Sequence, residues 1–310
     1  VAVAETPITA GRFYKCLRHV ILGSSIAMEF EQAERVSSES ELFDTLYPYY
    51  GQLALDLQAV RFDVIVMDEA QDLLRPSILE VLDCWVVGGL REGRWAFFGD
   101  FHRQAIFGGS KLLDAHEVMN TATSFYTRAH LKQNCRNTRR IGEETALISG
   151  FKSPPYRMGQ VEGAPVDYFE YSNEAEQVNL LSTVLENMCA DNTLFAGDII
   201  VLSRYRLEQS TAGKIPDSAS FRIRPIDAAG AGGKSPTVRF ATVQAFKGME
   251  SKVVVLCDID RIDSDEDRSL LYVAMSRARS LLVVLLNKKT KPAINDSFKV
   301  RLSQHWMDTI

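Results

Sequence analysis

The sequence predicts an α/β fold built on parallel sheets, and three observations carry that expectation. Short apolar, β-branched runs recur along the chain. Stretches of helical periodicity lie between them. The first clear run, residues 60–67, ends in a pair of acids, as buried strands that reach a ligand-bearing edge tend to do. Strands alternating with helices form a parallel sheet with helices on both faces. The pattern restarts near residue 112, so two such units are expected, over residues 1–112 and 113–310, meeting near residues 108–130.

Residues 1–59 carry the weakest pattern. "ESELFDTLYPYYGQLALDLQ" reads as helical but broken at Pro48 and Gly51. "VRFDVIVMDEAQD" then supplies a strand expected to be buried on both faces. "RPSILEVLDCWVVGGL" reads as a helix with Pro76 in its first turn and Gly88-Gly89 at its end, and "RWAFFGD" as a second buried strand. In the second half "VDYFEYS", "DIIVLSR", "VRFATV", "SKVVVLCDI" and "LLVVLLN" read as strands. Asn173 with Glu176 three residues on forms an N-x-x-E helix start. A helix around "EDRSLLYVAMSRA" lies between the last two strands.

The 310 residues, 46% hydrophobic, suffice for one or two domains with a sizeable core. No run is long and apolar enough to span a bilayer, and the N-terminus has no signal-peptide layout, so no membrane partner is expected. Five scattered cysteines without a C-x-x-C pair argue against disulfides and zinc and point to a cytoplasmic setting. The net charge of −5 is uneven: residues 1–127 sum to −8 and residues 128–310 to +3. Residues 275–301 hold seven basic side chains against Asp296 alone, which is either a solvated face or a track for a phosphate backbone.

"AAGAGGKS", residues 228–235, fits a relaxed phosphate-loop pattern. A phosphate loop must leave a strand and open into a helix, whose N-terminus supplies positive potential. Here Pro236 and a β-branched run follow, so the octet reads as a surface connection, with a phosphate cradle as the weaker alternative. It contains the chain's only G-K-[ST]; the single lysine in residues 1–67 is Lys15, with no glycine before it.

The chemistry-bearing residues come in five blocks. "VIVMDEAQD" delivers Asp68 and Glu69 at a strand's carboxyl end, where ligands sit in α/β sheets. Such a pair suits Mg²⁺ binding by Asp68 and water activation by Glu69; acids placed at a helix start would look the same. "FFGDFHRQAIF" offers Gly99-Asp100, Gln104 and Phe107. "LKQNCRN" offers Arg136, "TVQAFKGMESKVVVL" offers Thr242, Gln244, Lys247, Gly248 and Glu250, and "LLYVAMSRAR" offers Arg277. Taken singly, Arg136 reads as an exposed cation and Arg277 as a charge at a helix C-terminus.

In this order the five blocks resemble motifs II, III, IV, V and VI of superfamily 1 helicases of the UvrD/Rep-like branch, over roughly residues 60–285. The resemblance implies two RecA-like parallel-sheet units, the first N-terminally truncated, with ATP and Mg²⁺ between them and single-stranded DNA, or a partial duplex, across the top. It implies an ATP-dependent 3′→5′ helicase or translocase. Asp68 and Glu69 become the metal-binding and water-activating acids, and Gln104 the γ-phosphate sensor. Arg136 and Arg277 become arginine fingers, a device worth ~10³–10⁵ in rate. Gly248 and Glu250 face the nucleotide, Glu250 at the ribose. Thr242, Gln244 and Phe107 become DNA contacts, although core packing would suit Phe107 equally. Repair or defence complexes are the partners implied.

The chain departs from the family pattern at four places. No phosphate loop precedes motif II, which leaves residues 1–310 expected to be inactive alone. Cys135 replaces the aromatic before the motif IV arginine. Gln244 replaces the motif V histidine. "GGSKLL" follows Phe107 without the usual aromatic-and-arginine pair. Only about 105 residues separate Arg136 from Thr242, so little or no inserted domain is expected there. The alternative, from another class, is a non-catalytic nucleic-acid-binding or scaffolding relic within a larger complex.

Overall fold

A computed structural model of the chain describes residues 8–99, 115–150, 155–190, 194–218, 220–227 and 236–296. Gln104, Phe107 and the octet 228–235 lie outside the described residues. The chain divides into two compact units, Val1–Ala129 and His130–Ile310. The expected parallel α/β fold is met in each: both sheets are wholly parallel. No described helix is long and apolar enough to cross a membrane.

The first unit opens with α1 (Phe13–Leu22), α2 (Ala27–Val36), α3 (Glu39–Glu41) and α4 (Tyr47–Gln58). The predicted break at Pro48 and Gly51 is absent. A π-helical turn over Leu42–Leu46 joins α3 to α4, so Pro48 falls in the first turn of α4, where its missing N–H costs least. Gly51 sits against α1: a Cβ there would lie 2.9 Å from Leu17 Cδ1. These helices close on Leu17, Ile21, Phe30, Tyr47, Tyr50, Leu55 and Trp85.

Next, β1 (Val64–Met67), α5 (Pro76–Trp85), α6 (Gly89–Glu92), β2 (Arg94–Phe97) and α7 (Ala115–Ala122) complete this unit. α7 packs with it through Val118 and Met119, although it lies beyond the 112/113 junction read from the sequence. β1 and β2 form a two-stranded parallel pair with Val64 opposite Arg94 and Met67 opposite Phe97. The expectation that the β1 run is buried on both faces fails. Ile65, Met67, Trp95 and Phe97 face the core with α5 and α7, whereas Val64 and Val66 are 47% and 68% exposed. Period-two alternation puts Val64 and Val66 on the opposite face, and the described helices cover only one side.

The second unit runs α8 (Arg139–Ser149), β3 (Asp167–Tyr171), α9 (Glu174–Ala190), β4 (Ile199–Ser203), β5 (Arg222–Pro225), β6 (Thr237–Thr242), β7 (Ser251–Ile259), α10 (Asp265–Met275) and β8 (Ala278–Asn287). The sheet order is β3-β8-β7-β4-β6-β5. Central β4 is buried throughout, and β7 at all positions but Lys252, as their unbroken apolar runs require. Phe221, Val201, Val255 and Val283 join Leu181 and Leu185 of α9 in the core. Asn173 Oδ1 accepts from Glu176 N as expected; the Glu176 carboxylate accepts in turn from Ser172 N. α10 carries a full capping box between Ser264 and Asp267.

The connections reverse direction between β4 and β7, at whose carboxyl ends Asp258 forms a buried node. Its carboxylate accepts from Ser203 Oγ and Ser210 Oγ, each at 2.6 Å, and from Thr211 Oγ1. Asp258 has φ +60°, a conformation that aspartate tolerates better than most residues. Beside it, burial pushes the Cys257 thiol pKa well up, so this cysteine behaves as core.

Candidate functional site

In the first unit, the strand-end acids sit on a tight turn. β1 ends at Met67; Phe98 N donates to Met67 O and Ala70 N to Phe98 O, which ties the turn to the end of β2. Asp68 is exposed, and one of its oxygens, Oδ1, accepts from Glu69 N at 3.0 Å. Glu69 has φ +52°, in the sparsely populated left-handed region, and its carboxylate accepts from Gln71 Nε2 at 2.6 Å. Gly99 backs this arrangement: a Cβ there would lie 2.1 Å from Gln71 Oε1. Two adjacent carboxylates at the carboxyl end of a parallel strand suit Mg²⁺, which takes one or two protein carboxylates and completes its shell with water and phosphate. Among the described residues no cluster of three or more acids, histidines or cysteines forms a dedicated metal cage.

In the second unit, Arg136, Gly248, Glu250 and Arg277 gather beside the first residues of β7 and β8. Arg136 Nε donates to Glu250 Oε2 at 3.1 Å, and Arg279 approaches Glu250 Oε1 at 3.4 Å. One carboxylate thus pairs with two arginines, which leaves local positive charge suited to an anion. Arg136 and Arg279 remain substantially exposed, at 40% and 59%. Arg277 is 1% exposed. Its Nε donates to Val273 O at 3.0 Å, Nη1 to Met249 O and Nη2 to Ser276 Oγ, each at 3.3 Å.

The segment from Thr242 to Glu250 is a compact strap rather than a loose loop. Thr242 Oγ1 accepts from Ala245 N, Thr242 O from Phe246 N, and Gln244 O from Lys247 N. Phe246, 1% exposed, anchors the strap, and Gly248 at φ +80° turns it toward Met249 and Glu250. Thr242 and Gln244 stand half-buried at its opposite end from Glu250.

Asn137 was missed in the sequence, and Arg279 was read there only as one of the basic side chains of residues 275–301. Asn137, 4% exposed, donates through Nδ2 to Ser276 O at 2.9 Å and to Ala278 O at 2.6 Å. Only the chain neighbour of Arg136 hints at it; no periodicity marks a lone buried amide. The basic residues over 275–301, read as either a solvated face or a track, are partly paired: Lys288 lies 3.9 Å from Glu176, and Lys291 pairs with Glu170 at 2.8 Å.

Comparison with known proteins agrees with the resemblance read from the motifs. Residues 237–285 match the family model of the UvrD-like helicase C-terminal domain, a span that contains Thr242, Gln244, Gly248, Glu250 and Arg277. Over that span the expected UvrD-like helicase character is met. No curated protein matches the sequence. Among solved structures, the chain is similar to the C-terminal domain of a "possible DNA helicase" from Lactobacillus plantarum WCFS1, at 16% identity and TM-score 0.38, over 51% of this chain and 91% of that one. It is also similar to the arterivirus nonstructural protein 10 helicase, at 15% identity and TM-score 0.34, over 71% of this chain and 38% of that one.

Proposed function

We propose that the chain is the motor part of an ATP-dependent DNA helicase or translocase that moves 3′→5′ on single-stranded DNA. The helicase relationship stands on the family match over residues 237–285; the observation that carries the ATPase reading is the pairing of Arg136 and Arg279 with Glu250, with Arg277 bonded to the carbonyl of the preceding Met249, within and beside that span. Asp68 would hold Mg²⁺, which supplies charge neutralisation to the transferring phosphoryl group. Glu69, oriented by Gln71, would accept the proton of the attacking water. Arg136 and Arg277 would place planar positive charge on the equatorial oxygens, and Glu250 would accept from the ribose hydroxyls. Gln104, by the same likeness, would sense the γ-phosphate. Thr242, Gln244 and Phe107 would contact the DNA strand.

A second reading comes from a different class of function. On that reading the chain is a helicase relic that binds nucleic acid or scaffolds a complex. Steady-state phosphate release with single-stranded DNA separates the two. The motor reading expects turnover by the natural protein and background turnover by residues 1–310 alone. Tight DNA binding without turnover by the natural protein favours the relic. Turnover by residues 1–310 that is lost in Lys234→Ala would instead make the octet 228–235 the phosphate cradle.

A further inference from the structure

Two arginines assigned to the same chemistry sit on separate segments, one before α8 and one between α10 and β8. A single buried side chain joins those segments. Asn137 follows Arg136 directly in the chain. Its Nδ2 donates to the carbonyls of Ser276 and Ala278, the residues on either side of Arg277. Its Oδ1 accepts from Asn134 Nδ2 at 3.1 Å, and its carbonyl accepts from Gln160 Nε2. Thr138 N adds a bond to Arg279 O at 3.3 Å. The amide is 4% exposed and all its polar atoms are engaged, so water does not compete for these bonds.

The Arg136 side of the joint is fixed as well. Asn134 Oδ1 accepts from the backbone N–H groups of Arg136 and Asn137, at 3.0 and 3.3 Å. This is a side-chain-to-backbone turn that sets the direction in which Arg136 leaves the chain. On the other side, Ser251 N donates to Arg277 O at 3.0 Å, and Arg277 Nη1 reaches Met249 O. Asn137 therefore stands at the joint between the Arg136 turn, the Arg277 turn and the strap that ends in Glu250.

We propose that Asn137 is a positioning residue that fixes the spacing of Arg136 and Arg277, and so governs phosphoryl transfer without touching the nucleotide. The proposal rests on the ATPase reading of these arginines. A buried amide suits this task because two donor hydrogens on one planar group span two carbonyls two residues apart, and a rigid joint keeps both guanidinium groups preorganised.

Two measurements test it. In ATP turnover by the natural protein with single-stranded DNA, Asn137→Ala is expected to lower kcat by roughly 10²-fold, the scale of a 1 Å misplacement, while KM for ATP stays within about threefold. Asn137→Ser, whose hydroxyl can donate to one of the two carbonyls, is expected to fall between Ala and wild type. An Asn137→Ala protein with kcat within twofold of wild type, or with a loss confined to KM, overturns the proposal. The second measurement is hydrogen exchange of the Arg277 Nε–H, followed by nitrogen-15 NMR on residues 1–310. It is expected to quicken at least tenfold in Asn137→Ala, with the β4 and β7 amides unchanged. Unchanged exchange overturns the proposal. Absence of ATP turnover in the natural protein would instead remove the ATPase reading, and the exchange measurement would still decide whether Asn137 holds Arg277.

Discussion

Gln71 Nε2 donates to Glu69 Oε2 at 2.6 Å, and Gln71 Oε1 fills the space that the missing side chain of Gly99 leaves open, where a Cβ would lie 2.1 Å from it. Gly99→Ala should therefore swing Gln71 away and release Glu69. The clash meets the far end of a flexible side chain, so stability should change by less than about 1 kcal/mol, as for most substitutions that leave the core intact. ATP turnover should fall in Gly99→Ala and in Gln71→Ala alike. A turnover loss in Gly99→Ala alone would mean that the glycine acts on something other than Gln71.

Asp267 gives a pH dependence. Burial alone would raise its pKa, but hydrogen bonds from Arg204 and from the Ser264 hydroxyl and amide hold it below the usual carboxylate value. The folded pKa is depressed, so its contribution is fully present above the unfolded value of about 3.9 and is lost as pH falls through the lower folded value. Asp267 is 7% and Arg204 11% exposed, and Arg204 also holds Asp260 at 3.1 Å. Asp267→Asn should cost about 3 kcal/mol at neutral pH, at the lower end for breaking a buried pair. Below pH 4 the gap from wild type should narrow. A constant gap in chemical denaturation from pH 7 to pH 3 would exclude Asp267 as the titrating group.

The strands and most helices of the second unit were legible because β4, β7 and β8 are buried on both faces and so read as unbroken apolar runs. Val64 and Val66 misled for the same reason: an identical run serves here on a pair of strands that the described helices cover on one side only. Pro48 misled because a π-helical turn before it absorbs a residue that normally ends a helix. Of the proposed site residues, Asp68 and Glu69 in the first unit and Glu250 and Arg277 in the second were proposed from local motifs. Asn137 could not, because its role depends on carbonyls about 140 residues away in the chain. The Asp258 node escaped likewise, since Ser203 and Ser210 meet it only when β4 and β7 pair.

Nucleic-acid binding should be mainly electrostatic and located in the second unit, whose residues carry most of the positive charge. Affinity for an unstructured oligonucleotide should fall with salt, with a slope of about −0.7 per phosphate neutralised. Gln244→Ala should weaken binding with little change in slope, because the side chain is uncharged. Lys288→Ala and Lys291→Ala should leave the slope unchanged, since Glu176 and Glu170 already neutralise them. A flat salt response in the wild type would count against a nucleic-acid partner altogether.

Under the proposed function, the strand-end acids and the clustered arginines serve one phosphoryl-transfer reaction driven by DNA. The most direct measurement is steady-state ATP hydrolysis by the natural protein, with and without single-stranded DNA, for wild type, Glu69→Gln and Arg136→Ala. Neither side chain is part of the core, so both variants should fold. Turnover should rise with DNA and fall by roughly 10²–10⁴-fold in Glu69→Gln, as for a lost general base, with ATP binding retained and a comparable loss in Arg136→Ala. DNA-stimulated turnover that both variants retain at the wild-type rate would contradict it.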